Sequence, residues 1–263
     1  MNSLHDSRII VTGAASGVGA ELARLIQSCG GQVISLDRNE PSETVHQHIK
    51  VDLADRADID RALAMLDGKF DGLANVAAVA GTAARDMVFK VNVLGLRHLT
   101  ESLLPRLAPG ASIVNVSSIA GGGWPKRLDA IKKLLETRTF EEGQEWFEEN
   151  PHKEVPPYNF SKEIVTVYSM SRAVDLLPDG PRFNAVCPSA IETPLLKDFR
   201  ESIGDAVLDR FSSFTGRNAS ANDIAEAVLF LLSDASRWIK GHALVVDGGG
   251  VAGMSLGRYQ STL

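Results

Sequence analysis

Cysteine is nearly missing from this chain: Cys29 and Cys187 are the only two in 263 residues. Two thiols make no disulfide framework, so the expected setting is a reduced compartment, the cytoplasm. An excess of positive charge is missing as well. Lys and Arg number 27 against 33 Asp and Glu, for a net charge of −6. Binders of nucleic acid or of anionic membranes need a basic face, so neither partner is expected. No apolar run approaches the ~18 residues that cross a bilayer. Met1 to Ser7 is short and polar before the first strand, so no signal peptide is expected. The six histidines lack ligand spacing, and His46-x-His48 falls on a turn and strand start, so no metal is expected. Repeats, linkers and low-complexity segments are also missing.

What remains is an ordinary globular composition, 44% hydrophobic and 23% charged. The length suits one α/β domain spanning residues 1–263. Short β-branched runs alternate with helical periodicity. Strands are expected at Arg8–Thr12, Gln32–Leu36, His48–Val51, Asp71–Asn75, Ala111–Ser118, Arg182–Cys187 and Ala243–Asp247. Helices are expected at Gly17–Cys29, Ala54–Leu66, Ala83–Leu107, Tyr158–Leu177 and Ala221–Ser233, the last capped by Ser220 or Asn222. This alternation means a doubly wound parallel sheet of the Rossmann kind, with ligands at the carboxyl ends of its strands.

Thr12-Gly13-Ala14-Ala15-Ser16-Gly17-Val18-Gly19 lies where the first strand turns into the first helix. Glycines there allow a tight turn, and the helix N-terminus offers free N–H groups to a pyrophosphate. An ordinary glycine-rich turn is the competing reading. Asp37 follows the second strand, eighteen positions after Gly19. A carboxylate there accepts from an adenosine ribose hydroxyl and repels a 2′-phosphate, which favours NAD. Arg38 could pair with that phosphate, so NADP stays possible. Asp52-Leu53 and Asn75-Val76-Ala77-Ala78 end the third and fourth strands, along the edge where a dinucleotide would lie.

Ser117-Ser118 ends the fifth strand, and Tyr158 and Lys162 stand at i and i+4 on one helix face. A lysine ammonium near a tyrosine favours the phenolate and lowers its pKa, making a general base beside a serine that can hold a substrate oxygen. Tyr-x-x-x-Lys alone is common on solvated helices; its company with the glycine-rich turn gives it weight.

Together these motifs, with Val91-Asn92, Ile113 to Ser118, Pro188, Thr193-Pro194 and Asp247-Gly248-Gly249, resemble the short-chain dehydrogenase/reductase family over nearly the whole chain. Gly123-Trp124-Pro125-x-Arg127-Leu128 and Ser236-Arg237-Trp238-Ile239-x-Gly241 are most similar to the subgroup holding coniferyl alcohol dehydrogenase and 3α-hydroxysteroid dehydrogenase/carbonyl reductase. The resemblance implies an NAD-dependent oxidoreductase acting on a hydrophobic aromatic alcohol, or alternatively on a steroid or alicyclic alcohol. It implies a homodimer or homotetramer. Tyr158 would be the acid/base. Lys162 would bind the nicotinamide ribose and depress the tyrosine pKa. Ser118 would orient the substrate oxygen, and Asn92 would hold a relay water. Gly13, Ser16, Gly17, Val18, Gly19, Asp37, Asp52, Leu53, Asn75, Ala77, Pro188 and Thr193 would join Tyr158 and Lys162 in cofactor binding. Ala78 and Ser189 stand where the family carries glycine.

Tyr158 lies 40 positions after Ser118, a long interval for the family. Within residues 121–157, Leu128, Ile131, Leu134 and Leu135 form one apolar stripe, followed by Phe140, Trp146 and Phe147. Two amphipathic helices are expected there, forming a wall of the substrate pocket and altering the subunit interface.

Overall fold

The computed structural model describes residues 4–259. In chain order its elements are β1 (Arg8–Thr12), α1 (Gly17–Ser28), β2 (Gln32–Asp37), β3 (Gln47–Lys50), α2 (Arg56–Met65) and β4 (Phe70–Asn75). Next come α3 (Arg85–Phe89), α4 (Leu96–Leu103), β5 (Leu107–Val116), α5 (Leu128–Glu136), α6 (Phe140–Glu149), α7 (Pro157–Asp175) and β6 (Arg182–Pro188). The chain finishes with β7 (Ile191–Glu192), α8 (Leu196–Ile203), α9 (Asp205–Thr215), β8 (Ala219–Ser220), α10 (Ala221–Leu232), β9 (Ala243–Val246) and α11 (Gly250–Ser255).

Seven strands form one parallel sheet in the order β3-β2-β1-β4-β5-β6-β9. The strands are apolar on both faces, as at Ile9, Ile10 and Val11, because helices cover both. On one face Leu22 and Ile26 of α1 meet Ile224, Val228 and Leu231 of α10. On the other, Leu96, Leu99 and Leu103 of α4 share a core with Val165 and Tyr168 of α7 and with Ile59 of α2. Each such fully buried aliphatic side chain contributes about 1.5–3 kcal/mol of transfer free energy.

The expected doubly wound sheet is therefore present, and every expected strand has a counterpart. Several boundaries move. β5 begins at Leu107, four residues early, and runs through Pro109 and a left-handed Gly110. Its register against β4 shifts there, which lets the strand absorb residues that look like a turn. The helix expected at 83–107 is broken by a π-helical stretch, Lys90–Gly95, between α3 and α4. Helices α8, α9 and α11 come in addition to the expected ones.

Between β5 and α7 the chain makes a 3₁₀ run, Ile119–Arg127, and then α5 and α6. Ile131, Leu134, Phe140 and Phe147 pack on Phe89, Val93, Leu94, Phe160, Ile164 and Val167. Phe147 stacks flat on Phe89 with centroids 3.6 Å apart. The two helices thus form a third layer over α3 and α7, stabilised by apolar burial.

The sheet order reverses between β1 and β4. The segments that follow these two strands go to opposite faces, and a crevice opens above their carboxyl ends.

Candidate active site

A cavity of about 840 Å³ occupies that crevice, towards the upper end for small-molecule sites. Gly13, Ser16, Gly17, Val18, Gly19, Asp37, Asp52, Leu53 and Ala77 line one end. Ser118, Tyr158, Lys162 and Pro188 line the other, and Thr193 also lines the cavity, with its side chain against Gly17.

The first end is shaped by backbone. Gly13 has φ +72°, and a Cβ on it would lie 2.8 Å from the Ala77 main chain. A methyl on Gly19 would overlap the Gly13 carbonyl, so α1 could not sit this close to the turn. Ser16 is the N-cap of α1, yet its side chain makes no cap bond and the first turn carries no acid. This helix start suits an anion. The Asp37 carboxylate accepts from Ala15 N–H at 3.0 Å and Asn39 N–H at 2.9 Å, which fixes it at the rim. Across the turn, the Thr12 hydroxyl accepts from both Val76 N–H (3.0 Å) and Ala77 N–H (3.1 Å). Asp52 accepts from Ala54 N–H at 2.9 Å, holding the turn after β3.

The second end is built from β5, β6 and α7. Ser117 and Ser118 sit just past β5, Ser118 on extended backbone. Ser117 donates to Lys162 O at 2.8 Å. The Ser118 hydroxyl accepts from Ala120 N–H at 3.1 Å, donates to Pro188 O at 3.4 Å and neighbours the Tyr158 phenol. Lys162 is buried, and its Nζ donates to Val116 O at 2.8 Å. That Nζ lies 5.6 Å from the Tyr158 ring centroid.

The electrostatics correct the sequence expectation for the phenol. Burial pushes the Tyr158 pKa upward, and the Ser118 hydrogen bond only partly opposes it. Lys162 does not reverse this balance, because it is tethered to Val116 and is itself difficult to charge. Burial lowers its own pKa to about 8, with nearby Cys187 acting the other way. The Cys187 thiol is raised by burial, which makes it unreactive.

Asn75 and Asn92 do not line the cavity. The Asn75 amide donates to Thr100 Oγ1 (2.9 Å) and Asn115 Oδ1 (2.8 Å), inside a polar network between sheet and helix. Asn92 lies in the π-helical stretch. Its Oδ1 accepts from Val79 N–H at 2.9 Å, and its amide donates to Val79 O at 3.1 Å and Ser161 Oγ at 3.2 Å. Its side chain braces the wall at Val79 and is already committed.

The pocket wall also differs from expectation. Neither α5 nor α6 reaches the cavity; only Ile119, Ala120, Pro156 and Pro157 at the ends of that segment do. The apolar faces of both helices are spent on α3 and α7. The wall comes from segments that sequence reading missed: Phe199 and Ile203 of α8, Val207, Leu208 and Phe211 of α9, and Met254 of α11. Phe199 points its ring at Tyr158, with centroids 4.9 Å apart and planes at 70°. The i, i+3, i+7 spacing of Leu196, Phe199 and Ile203 was a readable signal for α8.

A half-buried hydroxyl pair at the end of a nucleotide-type crevice can exchange a proton with an alcohol or carbonyl oxygen. Comparison with known proteins agrees. A family model described as short chain dehydrogenase matches residues 7–127, and one described as Enoyl-(Acyl carrier protein) reductase matches residues 148–250. Coniferyl-alcohol dehydrogenase of Pseudomonas sp. (strain HR199 / DSM 7063) is 40% identical over 247 residues, 94% of this chain and 97% of that one. The chain belongs to the short-chain dehydrogenase/reductase family. Another relative of this dehydrogenase is 3-alpha-hydroxysteroid dehydrogenase/carbonyl reductase of Comamonas testosteroni, 27% identical over 92% of this chain and 96% of that one. The crystal structure of 3-alpha-hydroxysteroid dehydrogenase from Pseudomonas sp. B-0831 complexed with NADH superposes with a TM-score of 0.80. It is 32% identical and covers 97% of this chain and all of that one. The subgroup read from the motifs is borne out, and so is the oxidoreductase class.

Short-chain dehydrogenases use NAD or NADP, and the residues here fit such a group: an uncapped helix start faces the cavity, and a carboxylate stands at the rim. Among the described residues no cluster of His, Cys, Asp and Glu could hold a metal ion, and no helix is long and apolar enough to cross a membrane.

Proposed function

We propose that this enzyme interconverts a hydrophobic aromatic alcohol of the coniferyl type with its carbonyl partner, using NAD. The observation that carries the reading is the Ser118–Tyr158 hydroxyl pair opening into the cavity opposite an apolar wall. The name of the 40% identical relative supports the substrate class.

The turn at Gly13, Ser16, Gly17, Val18 and Gly19 would hold the pyrophosphate. Asp37 would take the adenosine ribose hydroxyls, with Asp52, Leu53 and Ala77 beside them and Pro188 and Thr193 at the nicotinamide end. When bound, NAD supplies the hydride acceptor for the carbinol carbon. In the reducing direction the neutral Tyr158 phenol gives its proton to the carbonyl oxygen, while Ser118 donates a hydrogen bond to the same oxygen. In oxidation the proton returns to Tyr158, which must first shed its own against the cost of burial. The Lys162 ammonium, held by Val116, lowers that cost. Asn92 keeps Val79 in place. Phe199, Ile203 and Phe211 would receive the ring of the substrate and exclude water.

A panel of aromatic, terpenoid and steroid alcohols, followed by reduced nicotinamide, tests the reading. Coniferyl-type alcohols with NAD should give the highest kcat/KM, and Tyr158→Phe should lower kcat by about 10²–10⁴-fold. A preference for steroids would move the substrate to the alicyclic class. Full activity of Tyr158→Phe would remove the phenol from the reaction. Asp37→Ala should weaken NAD at least tenfold more than NADP in matched titrations; the reverse order would overturn the cofactor assignment.

A further inference from the structure

The Gly121–Gly123 and Trp124-Pro125-x-Arg127-Leu128 stretch is distinctive in sequence, yet no step above uses it. It is where the loop leaving Ser118 runs along α7. Glu163 follows Lys162, and its side chain is only 1% exposed. Its carboxylate is gripped by the fork of Arg127. Nε donates to Oε2 at 2.6 Å, and Nη2 donates to Oε1.

Two glycines make this approach possible. A Cβ on Gly121 would stand 2.7 Å from Lys162 O. A methyl on Gly123 would overlap the Glu163 carboxylate. The loop therefore lies flush on α7 between two fastenings. The near one is Ser117, whose hydroxyl meets Lys162 O and Thr166 Oγ1, each at 2.8 Å. The far one is the Arg127–Glu163 pair. Ser118 sits between the fastenings, and Tyr158 lies just over one helical turn before Glu163 on the same helix.

We propose that Arg127 and Glu163 are positioning residues, a buried latch that fixes the Ser118 loop against α7 so that the Ser118 hydroxyl stays on the Tyr158 phenol. The latch rests on the roles given to Ser118 and Tyr158 above. A bidentate fork sets both distance and angle between loop and helix, whereas an apolar contact of equal size permits sliding. A buried pair of this kind adds little net stability over well-packed apolar residues. Its contribution here is geometric.

The experiment compares wild type with Arg127→Met, Glu163→Met and the double variant, using NAD and coniferyl alcohol or the fastest alcohol of the panel. Each single variant strands a buried charge or breaks the pair, and its Tm should fall by roughly 5 °C or more. The double variant should recover to within about 3 °C of wild type. Its kcat should stay at least tenfold down, with the Kd for NADH unchanged within twofold. A double variant with kcat within twofold of wild type would overturn the latch and leave a structural ion pair. Should the double variant fold poorly, Arg127→Lys keeps the charge and loses the fork. Its kcat should drop severalfold while Tm holds, and an unchanged kcat counts against the latch.

Tyr158→Phe measured alongside separates the two readings. If it stays fully active, the site reading fails. Amide exchange over residues 119–127 then decides the latch by itself. Faster exchange in the double variant supports it, and unchanged protection refutes it.

Discussion

A lysine that is both buried and required to carry charge is expensive, and Lys162 shows the cost at the scale of one residue. Its pKa is lowered from 10.5 to about 8 by burial. Between those values the unfolded chain binds more protons at this site than the folded chain does, so folding becomes more favourable as pH rises through the window. Below about pH 8 the full penalty applies, about 3 kcal/mol from the 1.36 kcal/mol that accompanies each pKa unit. Lys162→Met removes that penalty but leaves Val116 O without its donor, a loss of about 1–3 kcal/mol that does not depend on pH. Wild type should therefore gain on Lys162→Met between pH 8 and 10.5. Denaturant unfolding of both proteins across that range checks this, and a constant difference would show that Lys162 is not held at a lowered pKa. Tyr158 shows why the proton state of the site was not legible in sequence. The i, i+4 spacing put the lysine and the phenol on one face, which is correct. It could not show that Nζ spends a hydrogen bond on Val116, or that the surroundings of the phenol raise its pKa.

At the scale of elements, α10 is held at its start by a closed set of bonds. The Ser220 hydroxyl accepts from Asp223 N–H at 3.2 Å, and the Asp223 carboxylate accepts from Ser220 N–H at 2.7 Å. Arg217 beside Asp223, with help from Ser220, holds its carboxyl well below the usual range. Ser220→Ala should cost about 0.5–2 kcal/mol and lower Tm by several degrees, with KM for NAD unchanged. A calorimetric scan paired with steady-state kinetics tests it, and an unaltered Tm would show that the cap contributes nothing. Elements with strong periodicity and clear end signals, such as β1, α1 and α10, were readable within a residue or two. β5 began earlier than its β-branched run because a bulge carries Pro109 and Gly110 inside the strand. Asn75 is placed in the site by its position at a strand end and Asn92 by the family resemblance. Their side chains satisfy buried partners on neighbouring elements, which no spacing along one strand reveals.

The whole molecule carries one layer more than the sheet and its two helical faces require. Helices α5 and α6 cover apolar side chains of α3 and α7, among them Phe89, Phe160 and Ile164. Replacing Ile131 and Leu134 together by Asp should detach this layer and expose a continuous apolar face. Self-association seen by light scattering, with KM for the alcohol little changed in the remaining soluble protein, is the expected result. A protein of unchanged assembly and Tm would mean the layer is dispensable. The Thr12 hydroxyl, which receives two N–H groups from the segment that leaves β4, has a consequence on the same scale. One oxygen stitches the turn after β1 to the segment after β4, so two neighbouring strand ends make a single floor beneath the crevice on which a long ligand would rest.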